Sequence, residues 1–446
     1  MRQITRRKLV LGTVPAIVAG MTLRRVGSVS GSAADPVDSP VETTVPVPEL
    51  PDVLRREFFI SYWWGPNPTD ASFRQIAEGG FTVAQAGGGR RTLDLAQKYG
   101  LKVVMEDPRL LAKEPDDPGF HENLDAVVAD FADHPALWGY HLIDEPGTSA
   151  FPKLAAINQY LLHKDPEHVP YMNLFPTYAA PHQLGTASQQ MGAESYGEYV
   201  RRFVDEVKPV FLSYDHYSMF RDGTRREDFY ENFEIIRRES LRAGIPFNFI
   251  LLSCPHFNYR NPDEAELWWQ VNSALVYGAH GVQYFTYLTP PEDDPGFEGW
   301  HDAITTYEGE PLRKYGEIRG INADVRSRAE ELLNLRSLGV YHTDPLPAGT
   351  SPLSAQPESQ RIIAKVRGEA ELVIGVFRDV RTDTLRLMIV NRSETRPCEA
   401  GIALTEGYRF ERPIAGQTKA TWSDDTGREM TVTLGAGDAV TLSVER

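Results

Sequence analysis

The sequence predicts a (β/α)8 barrel followed by a small antiparallel β-sandwich. Three observations carry this. Eight short, near-continuously apolar runs recur between residues 57 and 340, as expected of strands buried on both faces of a parallel sheet. Amphipathic helical patterns separate most of these runs. From about residue 360 the pattern changes to short, β-branched runs divided by turn residues, the signature of antiparallel strands.

The chain begins with residues 1–34, which hold six basic residues (Arg2, Arg6, Arg7, Lys8, Arg24, Arg25) and no acidic one. Thr5-Arg6-Arg7-Lys8-Leu9-Val10 resembles the twin-arginine export motif, with Leu9 where Phe is usual. An apolar stretch over 9–23 follows. Gly12, Pro15 and Gly20 break it, and it is too short for a membrane span. Ala33-Ala34 offers a small-residue cleavage site before Asp35. The resemblance implies a signal over 1–34 and a secreted, periplasmic or cell-surface protein, with no membrane contact in the mature form. Retention as an anchor is the alternative. Residues 35–55, rich in Pro, Val, Ser and Asp, read as a linker.

The barrel is expected over 56–345. Its strands fall at 58–63, 81–86, 102–105, 137–143, 171–174, 210–214, 247–252 and 281–287. Helical patterns occupy 69–78, 91–98, 120–132, 196–206, 229–242 and 263–277. A doubly wound sheet is the alternative. Its glycine-rich turn would follow strand one, whereas Gly87-Gly88-Gly89 follows strand two. The sandwich is expected over 346–446, with strands at 361–366, 372–377, 384–390, 431–434 and 439–444. Gly435-Ala436-Gly437-Asp438 reads as the tight turn before the last strand.

Composition bounds the partners. The 446 residues carry a net charge of −16, and loss of the six N-terminal cations leaves −22. Such a surface repels nucleic acid and anionic lipid. Cys254 and Cys398 lie in different predicted domains, so two separate thiols are expected and no disulfide framework. There is no His-Glu-x-x-His, no paired Cys and no tight His/Asp cluster, so neither a metal nor another cofactor is expected. A Gly-x-Ser-x-Gly elbow and a phosphate loop are also absent. Nothing in the sequence fixes the oligomeric state.

Catalytic groups of a (β/α)8 barrel come from the C-terminal ends of its strands. Those ends carry Trp63 and Trp64 (strand one), Glu106 (three), Asp144 and Glu145 (four), Asn173 (five), Asp215, His216 and Tyr217 (six), His256 (seven), and Tyr284 and Tyr287 (eight). Cleavage of a glycosidic bond needs one carboxylic acid to protonate the leaving oxygen and a second carboxylate on the other face. Glu145, at a strand end among aromatic residues, suits the proton donor. Asp215 suits the second carboxylate, with Glu106 next. Asp144 is a neighbour that tunes Glu145. If the strand continues through them, Asp144 and Glu145 point to opposite faces. Trp63, Trp64, Asn173, His216, Tyr217, His256, Tyr284 and Tyr287 are candidate sugar contacts, because aromatic faces and small polar groups bind sugars. Each also has a plainer reading, as rim packing for the aromatics and as satisfied structural groups for the histidines. Asp144-Glu145-Pro146 likewise could do no more than end a strand and cap a helix.

Here a resemblance adds to the residues. Leu137-Trp138-Gly139-Tyr140-His141-Leu142-Ile143-Asp144-Glu145-Pro146 resembles the fourth strand of the retaining barrel glycoside hydrolases called clan A, where an Asn-Glu-Pro triplet ends the strand. Leu267-Trp268-Trp269-Gln270 through Gly281-Val282-Gln283-Tyr284-Phe285-Thr286-Tyr287 is similar to the last helix and strand of bacterial β-galactosidase-type barrels. The resemblance implies an acid/base role for Glu145, a carbohydrate substrate and an accessory β-domain. The sequence departs at Asp144, where Asn is usual, and at strand seven. That strand ends Leu252-Ser253-Cys254, without the expected Glu. Inversion with Asp215 as base is therefore the expectation. The alternatives are a transglycosylase and a carbohydrate-binding barrel that has lost catalysis, since one barrel hosts many chemistries.

Overall fold

The computed structural model describes residues 50–179, 192–291, 297, 299–411, 419–422 and 426–446. The expected signal and most of the linker lie outside the described residues. No described helix is long and apolar enough to cross a membrane.

Eight parallel strands form the first layer: β1 (Phe59–Trp63), β2 (Val83–Ala86), β3 (Lys102–Glu106), β4 (Leu137–Asp144), β5 (Val169–Asn173), β6 (Leu212–Asp215), β7 (Phe247–Leu252) and β8 (Gly281–Phe285). Each coincides with a predicted run to within about two residues at either end. The ladders run β1-β8-β7-β6 and β2-β3-β4-β5. Two seams close them into a barrel. At one, the Thr82 amide donates to Ile60 O at 2.9 Å; at the other, the Leu174 amide donates to Ser213 O at 2.9 Å. Rings and branched side chains of Phe59, Val83, Val104, Trp138, Tyr171 and Phe211 fill the interior, so the barrel is a packed core rather than a pore.

A helix follows each strand: α1 (Asp70–Glu78), α2 (Arg90–Lys98), α3 (Phe120–Phe131), α4 (Phe151–Lys164), α5 (Tyr196–Arg202), α6 (Phe229–Ala243), α7 (Glu264–Val276) and α8 (Arg313–Ser327). Their starts are chemically marked. Thr69 and Ser72 close a capping box on α1, and Asp263 and Glu266 close one on α7. In α6 the buried Phe229, Phe233 and Ile236 recur at helical spacing and face the strands.

The second layer pair is antiparallel. One sheet joins β9 (Leu335–His342), β11 (Leu372–Asp379), β12 (Leu385–Asn391), β14 (Arg409–Phe410) and β17 (Ala439–Glu445). The other joins β10 (Ile363–Arg367), β13 (Cys398–Leu404), β15 (Ala420–Trp422) and β16 (Glu429–Leu434). Ile374, Leu387, Ile389, Ile402, Met430, Val432 and Leu442 form their shared core. Gly435 to Asp438 turn the chain from β16 into β17, where the sequence places a turn. Strand β9 begins inside the span assigned above to the barrel, and β9, β13, β14 and β15 have no counterpart among the expected strands. Both cysteines are free, Cys254 buried and Cys398 half-buried.

Candidate active site

Strand β4 sets the geometry. Its register against β5 slips by one residue between His141 and Ile143, a β-bulge. His141 stays inside the barrel, edge-on to Trp63 with ring centroids 5.6 Å apart. Strict alternation from there would turn Asp144 towards the helices. The extra residue returns Asp144 to the interior, opposite Asn173. The strand then stops. Glu145 adopts a left-handed φ of 47°, and Pro146 has no N–H to continue the ladder. The Glu145 amide closes the turn by donating to Asn173 O at 2.9 Å.

Asn173 is the hub. Its Nδ2 donates to Oδ1 of Asp144 and to Oδ1 of Asp215, each at 3.0 Å. Those two oxygens therefore stand no more than about 6 Å apart. Tyr178, in the loop after β5, turns its hydroxyl to Asp215 and favours its ionised form. The Arg226 guanidinium lies 3.8 Å from the centre of the Tyr178 ring.

Among the described residues, no Lys or Arg stands among the main influences on the proton affinity of Asp144, Glu145 or Asp215. Burial, then the charges of Asp215 and Asp144, hold Glu145 well above the usual carboxylate range. Burial and the Asp144 charge push Asp215 up to about 7, against the pull of the Asn173 bond. Burial pushes Asp144 up to about 6. Asp144 also meets solvent, which fits a group in the wall of an open concave mouth: protein surrounds it, and water still reaches it. The three lie close enough to titrate as one interacting set. Such a set can give a proton to a leaving oxygen and take one from water.

The other expected residues divide. Glu106 lines the mouth on the β3 side, hydrogen-bonded by Gln85, and is not among the charges that raise Glu145. Trp64, Tyr217 and His256 lie in an aromatic wall with Phe257 and Trp300. His256 gives its Nδ1 proton to Cys254 O at 2.8 Å, and burial pushes its pKa down to about 4, so the ring is neutral. Trp63 packs on His141 at the floor. His216 sits behind the wall, against Tyr178 and Phe229, with Nε2 3.2 Å from Asp228 Oδ1.

One expectation is corrected. Tyr284 and Tyr287 do not face the mouth. Gln283 points into the barrel and bonds Tyr171, so alternation turns Tyr284 outward, where its hydroxyl donates to Asn322 Oδ1 of α8 at 2.8 Å. Tyr287 lies beyond the strand and donates to Gln75 Oε1 of α1 at 3.0 Å. Asp144 and Glu145 would point to opposite faces if the strand ran through both; it ends at Asp144, and the bulge and the left-handed turn bring both to the mouth.

Sequence reasoning missed three contributors: Arg226, Phe257 and Trp300. Phe257 is 67% exposed, an apolar ring left in water beside Trp300. All three lie on loops, where run and period give no signal. Among the described residues no group of three His, Cys, Asp or Glu has the arrangement to hold a metal ion.

No family model and no curated protein sequence matches this chain. Solved structures share its fold. A family 5 glycoside hydrolase from Bacteroides vulgatus superposes with a TM-score of 0.50 at 11% identity, over 87% of this chain and 89% of that one. A second glycoside hydrolase gives 0.50 at 12% identity, over 87% and 92%. A β-galactosidase from the psychrophilic Marinomonas ef1 gives 0.45 at 12% identity, over 63% of this chain. This chain spans 62% of the length of that β-galactosidase. The fold is that of barrel glycoside hydrolases with a C-terminal β-domain.

Proposed function

We propose that the chain is an exported glycoside hydrolase that cleaves oligo- or polysaccharide, with Glu145 as proton donor. One observation carries the reading: three carboxyl groups converge at the barrel mouth, and among the described residues no Lys or Arg is paired with any of them. Like charges gathered in a site largely walled by protein cost stability. Groups so perturbed, in a cleft, are the mark of acid/base chemistry. The barrel's C-terminal end is where such chemistry sits, and the proteins of like fold are named as glycoside hydrolases.

Each group has a role that its surroundings suit. Glu145, whose burial and like-charged neighbours favour the protonated form, gives its proton to the glycosidic oxygen as the C–O bond breaks. Asp215, poised near 7, takes a proton from the water that attacks the anomeric carbon, as an efficient general base should. The charge of Asp144 adds to burial and to the charge of Asp215 in favouring the protonated form of Glu145. The net change is one water added across one glycosidic bond. Phe257, 67% exposed, and the half-buried Trp64 offer apolar faces for the sugar ring, with Trp300 packed behind them. The twin-arginine-like N-terminus supports export.

The absence of a carboxylate at the end of β7 favours inversion, and it also favours a second reading, a carbohydrate-binding barrel without turnover. A hydrolysis screen over glycans, with product anomers read by proton NMR, separates them. Hydrolysis with inverted anomers is expected. Retained anomers would refute Asp215 as base. Tight binding without hydrolysis of any bound glycan would establish the binder, and transfer of sugar to sugar in place of water would make the protein a transglycosylase.

A further inference from the structure

A row of hydrogen bonds crosses the barrel interior and ends on the two aspartates. Gln283 Nε2 on β8 donates to the Tyr171 hydroxyl at 2.6 Å. Tyr171 and Ser213 share a hydrogen bond at 2.7 Å. Ser213 Oγ donates to Asn173 Oδ1 at 2.9 Å. Asn173 Nδ2 then donates to Asp144 and Asp215. Gln283, Tyr171, Ser213 and Asn173 are all buried, none more than 2% exposed, so no solvent can replace a missing partner.

The order of protons in this row is forced by its ends. An amide nitrogen can only donate, and an amide oxygen can only accept. Asn173 Oδ1 only accepts, so Ser213 gives it its proton. Ser213 then takes the proton of Tyr171, which accepts from Gln283 Nε2 and also has Asn248 beside it. This order places the Asn173 NH2, with its two hydrogens, against two carboxylate oxygens. If either aspartate carried a proton on the shared oxygen, the match would fail. Restoring it would require both hydroxyls to turn and both amides to flip in a packed interior.

We propose that Gln283, Tyr171 and Ser213 are positioning residues, a one-way row that holds the Asn173 amide with its NH2 towards Asp144 and Asp215 and so fixes the separation and the charge of that pair. The proposal rests on the reading of the mouth as a carboxylate site. None of the three touches the mouth. They act through Asn173.

Carbon-13 NMR tests this without turnover. Wild type and variants labelled at the aspartate carboxyl are titrated from about pH 4 to about pH 9, with Asp144→Asn and Asp215→Asn assigning the resonances. Ser213→Ala leaves Asn173 Oδ1 without its donor and frees the amide to turn. The Asp144 and Asp215 midpoints should then rise by about one pH unit, a tenfold gain in proton affinity. Ser213→Thr keeps the hydroxyl and should restore the wild-type midpoints. Tyr171→Phe leaves Ser213 able to donate but no longer compelled to, so its rise should be smaller, about threefold in proton affinity. Midpoints unchanged in Ser213→Ala overturn the proposal. If that variant does not fold, unchanged midpoints in Tyr171→Phe do so, and so does a Ser213→Thr variant that fails to restore them. These results are separable from the proposed activity. A flat titration removes the row and leaves the hydrolase standing, whereas failure to hydrolyse any glycan leaves the titration to be read as before.

Discussion

At the scale of single residues, the site is a set of mutual repulsions. A carboxylate raises its neighbour's proton affinity because two like charges in a poorly solvated place repel. Asp144→Asn removes one of the two charges that keep Glu145 protonated. The alkaline limb of kcat/KM should therefore move to lower pH, by about one unit, in a pH–rate profile; an unmoved limb would deny Asp144 its tuning role. The same repulsion has a stability consequence of definite sign. Folding raises Asp215 from its ordinary 3.8 to about 7. Between those values the folded state binds a proton that the unfolded state releases, so stability falls as pH rises through that window. Asp215→Asn carries no charge and still offers Asn173 an acceptor. It should be more stable than wild type at about pH 8 by at least about 1.4 kcal/mol, the worth of one pKa unit. The gain should vanish below about pH 4. Thermal unfolding at the two pH values measures this. A loss of stability at alkaline pH would mean that the charge is compensated after all.

At the scale of elements, β4 decides what the mouth contains. Gly139 lets it pass close to β5: a Cβ there would stand 2.1 Å from Val169 O. Gly139→Ala should force the strands apart and cost about 1–3 kcal/mol in urea unfolding. It should lower turnover too, because Asp144 meets Asn173 through the same ladder. Wild-type stability in this variant would show that the strands part without cost. The eight strand runs were legible because burial on both faces leaves apolar stretches that need no partner to be seen. The end of β4 at Asp144-Glu145-Pro146 was legible because an apolar run that stops at two acids and a proline marks a strand end. The bulge was not. Leu142 and Ile143 are both apolar and nothing in them marks an extra residue, so the facing of Asp144 could not be read. Tyr284 and Tyr287 were misplaced for a related reason. An aromatic at a strand end names no face, and the inward turn of Gln283 depends on Tyr171, over 100 residues earlier in the chain. Arg226, Phe257 and Trp300 reach the site through loop paths that only the folded barrel defines.

At the scale of the whole molecule, barrel and sandwich share a core. Val276 and Tyr277 at the end of α7 pack with Val373, Phe377, Met388 and Val390 of β11 and β12. Asn272 Nδ2 donates to Gly437 O at 2.9 Å. Gly437 has φ +64°, and a Cβ there would stand 2.4 Å from Ala265 O, so the turn into β17 sits directly on α7. Calorimetry should show one unfolding transition, because separating the two bodies exposes a common apolar surface. Two resolved transitions would mean that the shared core is weak. The same frame holds the chemistry, since α7 leads into β8, which carries Gln283 towards Asn173. The central claim is that Glu145 protonates the leaving oxygen of a glycosidic bond. Turnover of wild type and Glu145→Gln on glycosides of graded leaving-group acidity tests it most directly. The account predicts a loss of about 100-fold or more on natural sugar leaving groups, shrinking as the leaving group becomes acidic enough to depart without a proton. An equal loss across the series, or no loss on natural sugars, would contradict it.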